Sequence, residues 1–385
     1  MPAVTLPRMV RIGGGALEET GQALGILGLR RPAIITDRYL LDSGAVERLR
    51  ACLAREGIEA VVFADTVPDP TDECVDQAAR FVRESGCDCV IGFGGGSPID
   101  TAKAAAILSA RGGKMRALKA PHQENQQGLP IVAIPTTAGT GSEATRFTIV
   151  TDTQTDEKML CAGLAYLPTL AVVDYELTMT MPRRLTADTG IDALTHAIEA
   201  YVSRLANPFS DSMAVAAMRA IWRGIRTAYH EPDNRAARET VMLGAMQAGI
   251  AFSNASVCLV HGMSRPIGAH FHVAHGLSNA MLLPAVTEWS VGGNLARYAD
   301  CARVMELAPP GDTDEQAARK LVAALRELNR ELAVPSPRQY GLDETRWHAL
   351  LPLMAEQALA SGSPANNPRV PDAETIIGIY NEAWA

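Results

Sequence analysis

In the first half of the chain, short runs of β-branched and aromatic residues alternate with helix-length stretches. The runs cover residues 33–36, 61–63, 90–93, 131–134 and 170–173. Between the first four lie 43–55, 71–84 and 98–110, each amphipathic or alanine-rich. Strands and helices alternating at this spacing predict βαβ units and a parallel sheet. Residues 147–150 and 158–161, joined by a polar stretch, read as a β-hairpin. The pattern changes after Met181-Pro182. Beyond it, period-2 alternation almost vanishes. Stretches such as 211–229 and 236–252 repeat apolar residues at helical spacing instead. The expected organisation is an α/β domain over 1–182, reading as a dinucleotide-binding unit, and an all-helical domain over 183–385. Residues 307–314, with Pro309 and Pro310, read as a loop between helices.

Composition removes several classes of function. Of the 385 residues, 47% are hydrophobic and 20% charged, which excludes a disordered chain. A net charge of −8, with no block of like charges, gives no reason to expect a nucleic-acid partner. No uninterrupted apolar run is long enough for a membrane span, so no membrane partner is expected. Prolines and arginines break up the first residues, which do not read as a signal peptide. Seven scattered cysteines, of which Cys87 and Cys89 stand close without a second pair, read as reduced thiols of a cytoplasmic protein.

Two loops carry anion-binding chemistry. Gly92-Phe93-Gly94-Gly95-Gly96-Ser97-Pro98-Ile99-Asp100 follows an apolar strand and opens an alanine-rich helix. Glycines let the backbone approach a bulky anion, and the helix N-terminus presents free N–H groups to a phosphate. No Gly-Lys-Ser/Thr follows, so this is not a Walker loop. The competing reading is a plain tight turn. Pro135-Thr136-Thr137-Ala138-Gly139-Thr140-Gly141-Ser142-Glu143 follows the next strand, with hydroxyls able to bond phosphates and ribose. The alternative there is a turn capping a helix. Two such loops, each directly after a strand, favour a dinucleotide lying across the strand carboxyl ends. Asp37, at the end of an earlier strand, suits a ribose and repels a 2′-phosphate, which favours NAD over NADP. Alternatively it caps a helix.

The helical half holds a metal-ligand pattern. Asp192 and His196 are four residues apart and share a helix face. Four of the eight histidines, His261, His270, His272 and His275, fall in one short segment. A straight helix would separate His261 from His275 by roughly 21 Å. Both can bind one ion only if the chain turns back, and Pro266 with Gly268 is expected to make the break. His270 and His272 compete as ligands. One aspartate with three histidines suits Fe2+ or Zn2+. Such an ion polarises a substrate oxygen, and with a dinucleotide beside it the combination points to hydride transfer.

Taken together, Gly94-Gly95-Gly96-Ser97-x-x-Asp100, Pro135-Thr136-Thr137-x-Gly139-Thr140-Gly141-Ser142-Glu143, Asp192-x-x-x-His196 and His261-Gly262…His275-Gly276 resemble the iron-containing (group III) alcohol dehydrogenases, over nearly the whole chain. The resemblance implies a dehydroquinate-synthase-like fold, with an N-terminal α/β dinucleotide domain and a C-terminal helical metal domain. It implies Asp192, His196, His261 and His275 as metal ligands, with His270 and His272 at non-ligand positions. It implies Gly95, Gly96, Ser97 and Asp100 in the pyrophosphate loop, Thr136, Thr137, Thr140, Lys158 and Leu177 at the nucleotide, and Asp37 as the NAD-selecting acid. Phe147 and Phe252 match positions facing a small alcohol or aldehyde substrate. A homodimer or larger homo-oligomer is expected.

Two positions depart from the family pattern. Many relatives carry a histidine four residues after the third metal ligand, thought to relay protons near the substrate. Here Arg265 stands there. Arginine stays protonated, so it cannot relay protons in the ordinary way. The alternatives for Arg265 are a carboxylate- or phosphonate-binding role on the substrate side and a salt bridge. Asp69 replaces a common asparagine. Three rival readings remain: an oxo-acid reductase resembling the maleylacetate reductases, a metal-dependent lyase of the dehydroquinate-synthase type, and a scaffold protein that kept the fold.

Overall fold

The structure is a computed structural model and describes residues 3–385. The chain forms two compact units, one spanning Val4–Thr180 and one built on Met181–Ala385.

The first unit runs β1 (Met9–Ile12), α1 (Thr20–Leu27), β2 (Pro32–Ile35), α2 (Arg38–Asp42), α3 (Ala45–Ala54), β3 (Val61–Phe63), α4 (Asp72–Glu84), β4 (Cys89–Gly94), α5 (Gly96–Arg111), β5 (Ile131–Pro135), β6 (Phe147–Asp152), β7 (Glu157–Ala162) and β8 (Leu170–Val173). Six strands form a parallel sheet in the order β1-β8-β5-β4-β2-β3. The inner strands are covered on both faces and read as unbroken apolar runs, as buried parallel strands do. Alternate side chains go to opposite faces. Ala33, Ile35 and Val90 join α4 and α5 in one core, while Ile34, Ile91 and Phe93 join α1 and α3 in another.

The helices follow from their caps and stripes. Thr71 Oγ1 accepts the Cys74 amide at the start of α4, whose buried stripe is Cys74, Val75, Ala78, Ala79 and Val82. Alanines let α5 lie close on the sheet, where a side chain at Gly92 would press 2.8 Å from the Ile99 Cα. The expected hairpin is β6 paired antiparallel with β7, from Phe147 opposite Ala162 to Asp152 opposite Glu157. β1, an edge strand, is an addition to the five expected parallel strands.

The second unit is helical throughout: α6 (Arg183–Val202), α7 (Pro208–His230), α8 (Arg235–Ala255), α9 (Leu259–Phe271), α10 (His275–Ser290), α11 (Leu295–Val304), α12 (Asp314–Glu331), α13 (Pro337–Tyr340), α14 (Glu344–Ala360) and α15 (Ala373–Ala383). α6 is buried almost all round, so its polar residues need internal partners. Asn207 caps α7, with Pro208 at its first turn. The expected loop before residue 314 lies between α11 and α12.

One expectation is corrected. Pro266 and Gly268 do not break the chain, because α9 runs through both to Phe271. Proline's fixed φ is helical, so it costs one backbone bond without ending a helix that packing holds in place. The reversal comes at His272, a left-handed cap with φ 54°. Among the described residues no single helix is long and apolar enough to cross a membrane.

Candidate active site

The nucleotide loops follow neighbouring strands. β2, β4 and β5 are adjacent, and the chain leaves β2 and β4 in opposite directions along the sheet. Their carboxyl ends form the switch point where open α/β sheets bind ligands. Gly94 ends β4 with φ 150°, and a Cβ there would lie 2.6 Å from Pro98 Cγ. Gly95 starts α5 with no side-chain cap, which leaves the first-turn amides for a ligand. The second loop packs directly on the first. A Cβ on Gly95 would lie 3.5 Å from Thr137 Cγ2, and one on Gly96 would lie 3.1 Å from Thr140 Cγ2. Thr136 donates its amide to the Gly94 carbonyl at 2.9 Å. Thr137 Oγ1 is buried with no hydrogen-bond partner. An orphaned hydroxyl beside bare glycine backbone and open helix amides is the chemistry a pyrophosphate needs, so these residues fit a dinucleotide.

Other residues of the nucleotide half hold this loop system. Asp37 caps α2, its Oδ1 accepting the Leu40 amide at 2.9 Å. Asp100, expected in the pyrophosphate loop, has its carboxylate engaged within the protein. Oδ1 accepts from Ser142 Oγ at 2.6 Å, and Oδ2 accepts from the Ile149 amide at 3.0 Å. Both oxygens are engaged in tying the second loop and β6 to α5. Lys103 was not legible as functional: it is fully buried and donates to the carbonyls of Thr145 and Phe147 at 3.0 and 2.8 Å. Burial lowers its pKa to about 8, against the pull of Asp100 and Glu143. The one available signal was a lysine amid alanines on a buried helix. Phe147 is half-buried at the start of β6. Lys158 pairs with Asp69 at 2.9 Å. Leu177 packs against the core beside the sheet.

In the helical unit, Asp192, His196, His261 and His275 converge. One ligand atom from each lies within 4.8 Å of the others. Asp192 Oδ1 stands 4.0, 3.4 and 3.9 Å from Nε2 of His196, His261 and His275. α6 supplies the first two residues one turn apart, α9 the third, and His275 is the first residue of α10. Asp192 is 2% exposed but His275 33%, so the group opens on the His275 side. Burial pushes the Asp192 carboxyl up, yet the three histidines outweigh it and hold it well below the usual range. Burial lowers His261, but Glu199 and Asp192 prevail and raise it to about 9. The cluster draws in positive charge, and one carboxylate with three imidazoles fits Fe2+ or Zn2+.

Glu199 is a further functional residue. Its Oε2 lies 2.7 Å from His261 Nδ1 and accepts the Cys258 amide at 2.9 Å, while Oε1 accepts the Val260 amide at 2.6 Å. A carboxylate on Nδ1 fixes the tautomer and turns Nε2 toward the ion. The signal was present, since 192, 196 and 199 lie on one helix face. Phe252, buried on α8, stacks on the His196 ring at 4.3 Å. Arg265 stands one turn beyond His261, and its Nε is buried without a hydrogen-bond partner. Burial lowers its pKa, while Glu199 pulls the other way. His270 Nε2 lies 2.8 Å from Gln357 Oε1, and His272 makes the turn, so neither joins the ligand group.

A candidate metal-ligand group on a helical unit, joined in one chain to an uncapped glycine loop on a parallel sheet, is the arrangement of an enzyme that uses a metal ion and a dinucleotide. Residues 7–175 match the family model described as iron-containing alcohol dehydrogenase, and 186–384 match the C-terminal model of the Fe-containing alcohol dehydrogenase family. The chain belongs to the iron-containing alcohol dehydrogenase family and is an oxidoreductase. It is 35% identical to the 1,3-propanediol dehydrogenase of Klebsiella pneumoniae over 98% of each chain. The structure of a 1,3-propanediol oxidoreductase superposes with a TM-score of 0.95 at 34% identity, covering 100% of each chain. A sulfoacetaldehyde reductase from Bifidobacterium kashiwanohense, solved with NAD+, gives 0.90 at 26% identity, covering 100% of this chain and 99% of that one.

Proposed function

We propose that this enzyme interconverts a small alcohol and its aldehyde with NAD(H) and Fe2+, with Zn2+ as the alternative ion. The observation that carries the reading is the convergence of Asp192, His196, His261 and His275. When bound, the dinucleotide supplies or accepts a hydride at nicotinamide C4, and the divalent ion polarises the substrate oxygen. Gly95, Gly96 and Ser97 hold the pyrophosphate through backbone amides at the start of α5. Thr136, Thr137 and Thr140 bond the nucleotide from the facing loop, with Lys158 and Leu177 beside it. Asp37 receives the ribose and disfavours a 2′-phosphate. Asp192, His196, His261 and His275 hold the ion, and Glu199 orients His261. Phe147 and Phe252 take substrate-side places, Phe252 stacked on the His196 ring.

A second reading concerns Arg265, and its orphaned Nε favours it. An arginine on the ligand helix, its buried Nε without a hydrogen-bond partner, suits an aldehyde carrying a carboxylate or sulfonate. Similarity to a sulfoacetaldehyde reductase supports it. Because Arg265 stays protonated, the alcohol proton leaves through ribose hydroxyls and water.

We also place the enzyme in the cytoplasm, which its seven unpaired cysteines support, and expect a homo-oligomer. Supporting an oligomer, β1 is an edge strand with Val10 and Ile12 36% and 50% exposed. Partners other than small molecules, nucleic acids and membranes included, form no part of the proposal.

The test is anaerobic NADH oxidation by Fe2+-loaded enzyme against short aldehydes, half neutral and half carrying a carboxylate. Turnover lost to a chelator and restored by Fe2+ is expected. Arg265→His should shift the preference toward neutral aldehydes by ten-fold or more. An unchanged preference removes the second reading, and no turnover with any aldehyde removes the first.

A further inference from the structure

A fifth polar side chain enters the metal group. Asn279 stands one turn after His275, on the same face of α10, and is fully buried. Its Nδ2 donates to Asp192 Oδ1 at 2.6 Å and lies 3.2 Å from Nε2 of both His261 and His275. Three of the four ligand atoms thus converge on one amide nitrogen. The opposite orientation of the amide would set its oxygen 2.6 Å from a carboxylate oxygen, acceptor against acceptor, so the network itself assigns the nitrogen inward. Asn279 Oδ1 is buried with no hydrogen-bond partner, so the side chain is committed on its nitrogen side alone.

We propose that Asn279 is a positioning residue of the metal centre. Asp192 sits on α6, His261 on α9 and His275 on α10, and one amide reaches a ligand atom on each. A buried carboxylate can turn about its last torsion, and each orientation costs a different set of ion contacts. A fixed N–H donor on Oδ1 removes that freedom. Groups that orient ligands in this way typically change metal affinity by about 10–100-fold. Asn279 complements Glu199, whose contact with the ligand group is at the far nitrogen of His261. The inference rests on the metal centre proposed above.

The test uses the full-length protein, stripped of metal, with Co2+ as probe ion. Its dissociation constant is read by chelator competition, and its ligand-field spectrum and the affinity for NADH are read in parallel. Asn279→Leu keeps the volume and removes the donor. Its Co2+ dissociation constant is expected to rise about 10–100-fold. The band intensities should stay those of the wild-type coordination number, and NADH affinity should stay within about twofold. Asn279→Ser, which can still donate, should fall between wild type and Asn279→Ala. Wild-type Co2+ affinity in an Asn279→Leu protein that binds NADH normally overturns the proposal. If Asn279→Leu does not bind NADH, equal Co2+ affinities for wild type, Asn279→Ser and Asn279→Ala overturn it instead. A variant spectrum showing one ligand fewer would also overturn it, since Asn279 would then be a ligand itself. A wild-type protein that takes up no Co2+ overturns both this inference and the metal centre beneath it.

Discussion

Asp37 has one observed role, capping α2, and one proposed role at the cofactor ribose. Its Oδ1 caps α2 through Leu40, and that contact alone would justify an aspartate. The two roles separate on substitution. Asp37→Ser keeps a good cap and removes the charge, so stability should stay within about 0.5 kcal/mol. The kcat/KM ratio of NADP to NAD should rise ten-fold or more. An unchanged ratio would leave Asp37 a cap only. Glu143 gives a prediction in pH. Burial raises its carboxyl from 4.5 to about 7, against the pull of its own backbone amide and Lys103. The folded protein therefore holds a proton that the unfolded chain releases between those values. The stabilisation is fully present below pH 4.5 and is lost as pH rises through about 7. Glu143→Gln, permanently neutral, should flatten that slope in denaturant titrations. It should be more stable than wild type at pH 8, by on the order of 1–3 kcal/mol. The metal ligands were legible because chemistry restricts them to few residue types. Lys103 and Asn279 were not, because their partners lie far away in sequence: the Thr145 and Phe147 carbonyls for Lys103, and Asp192 and His261 for Asn279.

At the level of elements, the strand–loop–helix unit from β4 into α5 carries the proposed nucleotide chemistry, and Gly94 is its tightest point. With φ 150° and Pro98 Cγ 2.6 Å from any added Cβ, the position tolerates no side chain. Gly94→Ala should destabilise the protein by about 1–3 kcal/mol. It should also raise the KM for NADH at least ten-fold, and thermal melts with steady-state kinetics check both. Period and turn chemistry made these elements readable, because buried parallel strands are apolar throughout and the helices between them are not. β1 escaped notice because Met9–Ile12 is short, is interrupted by Arg11 and alternates in burial at a sheet edge. The turn between α9 and α10 was misplaced for a different reason. Proline and glycine are the usual breakers, yet packing carries α9 through both. The reversal falls on His272, a residue type with some tolerance for the left-handed region.

For the whole molecule, the two-part organisation was legible from the change of period near Pro182, since each unit is built from one kind of pattern. How the four ligands meet was not, since it needs α6, α9 and α10 placed in three dimensions. If the ion is bound by the native protein alone, it must stabilise the fold. Fe2+ at about 100 times its dissociation constant should add about 2.7 kcal/mol. That corresponds to a melting temperature higher by about 2–4 °C than in chelator, measured anaerobically. The central claim is that this chain moves a hydride between NADH and a carbonyl carbon, with a metal in attendance. The most direct measurement follows the hydride itself. NADH deuterated at the transferable C4 position is incubated with an aldehyde and Fe2+-loaded enzyme, and the alcohol is analysed by mass spectrometry. One deuterium on the carbinol carbon, absent when the ion is chelated, is the predicted result. An alcohol formed without deuterium, or labelled equally with the metal removed, would contradict it.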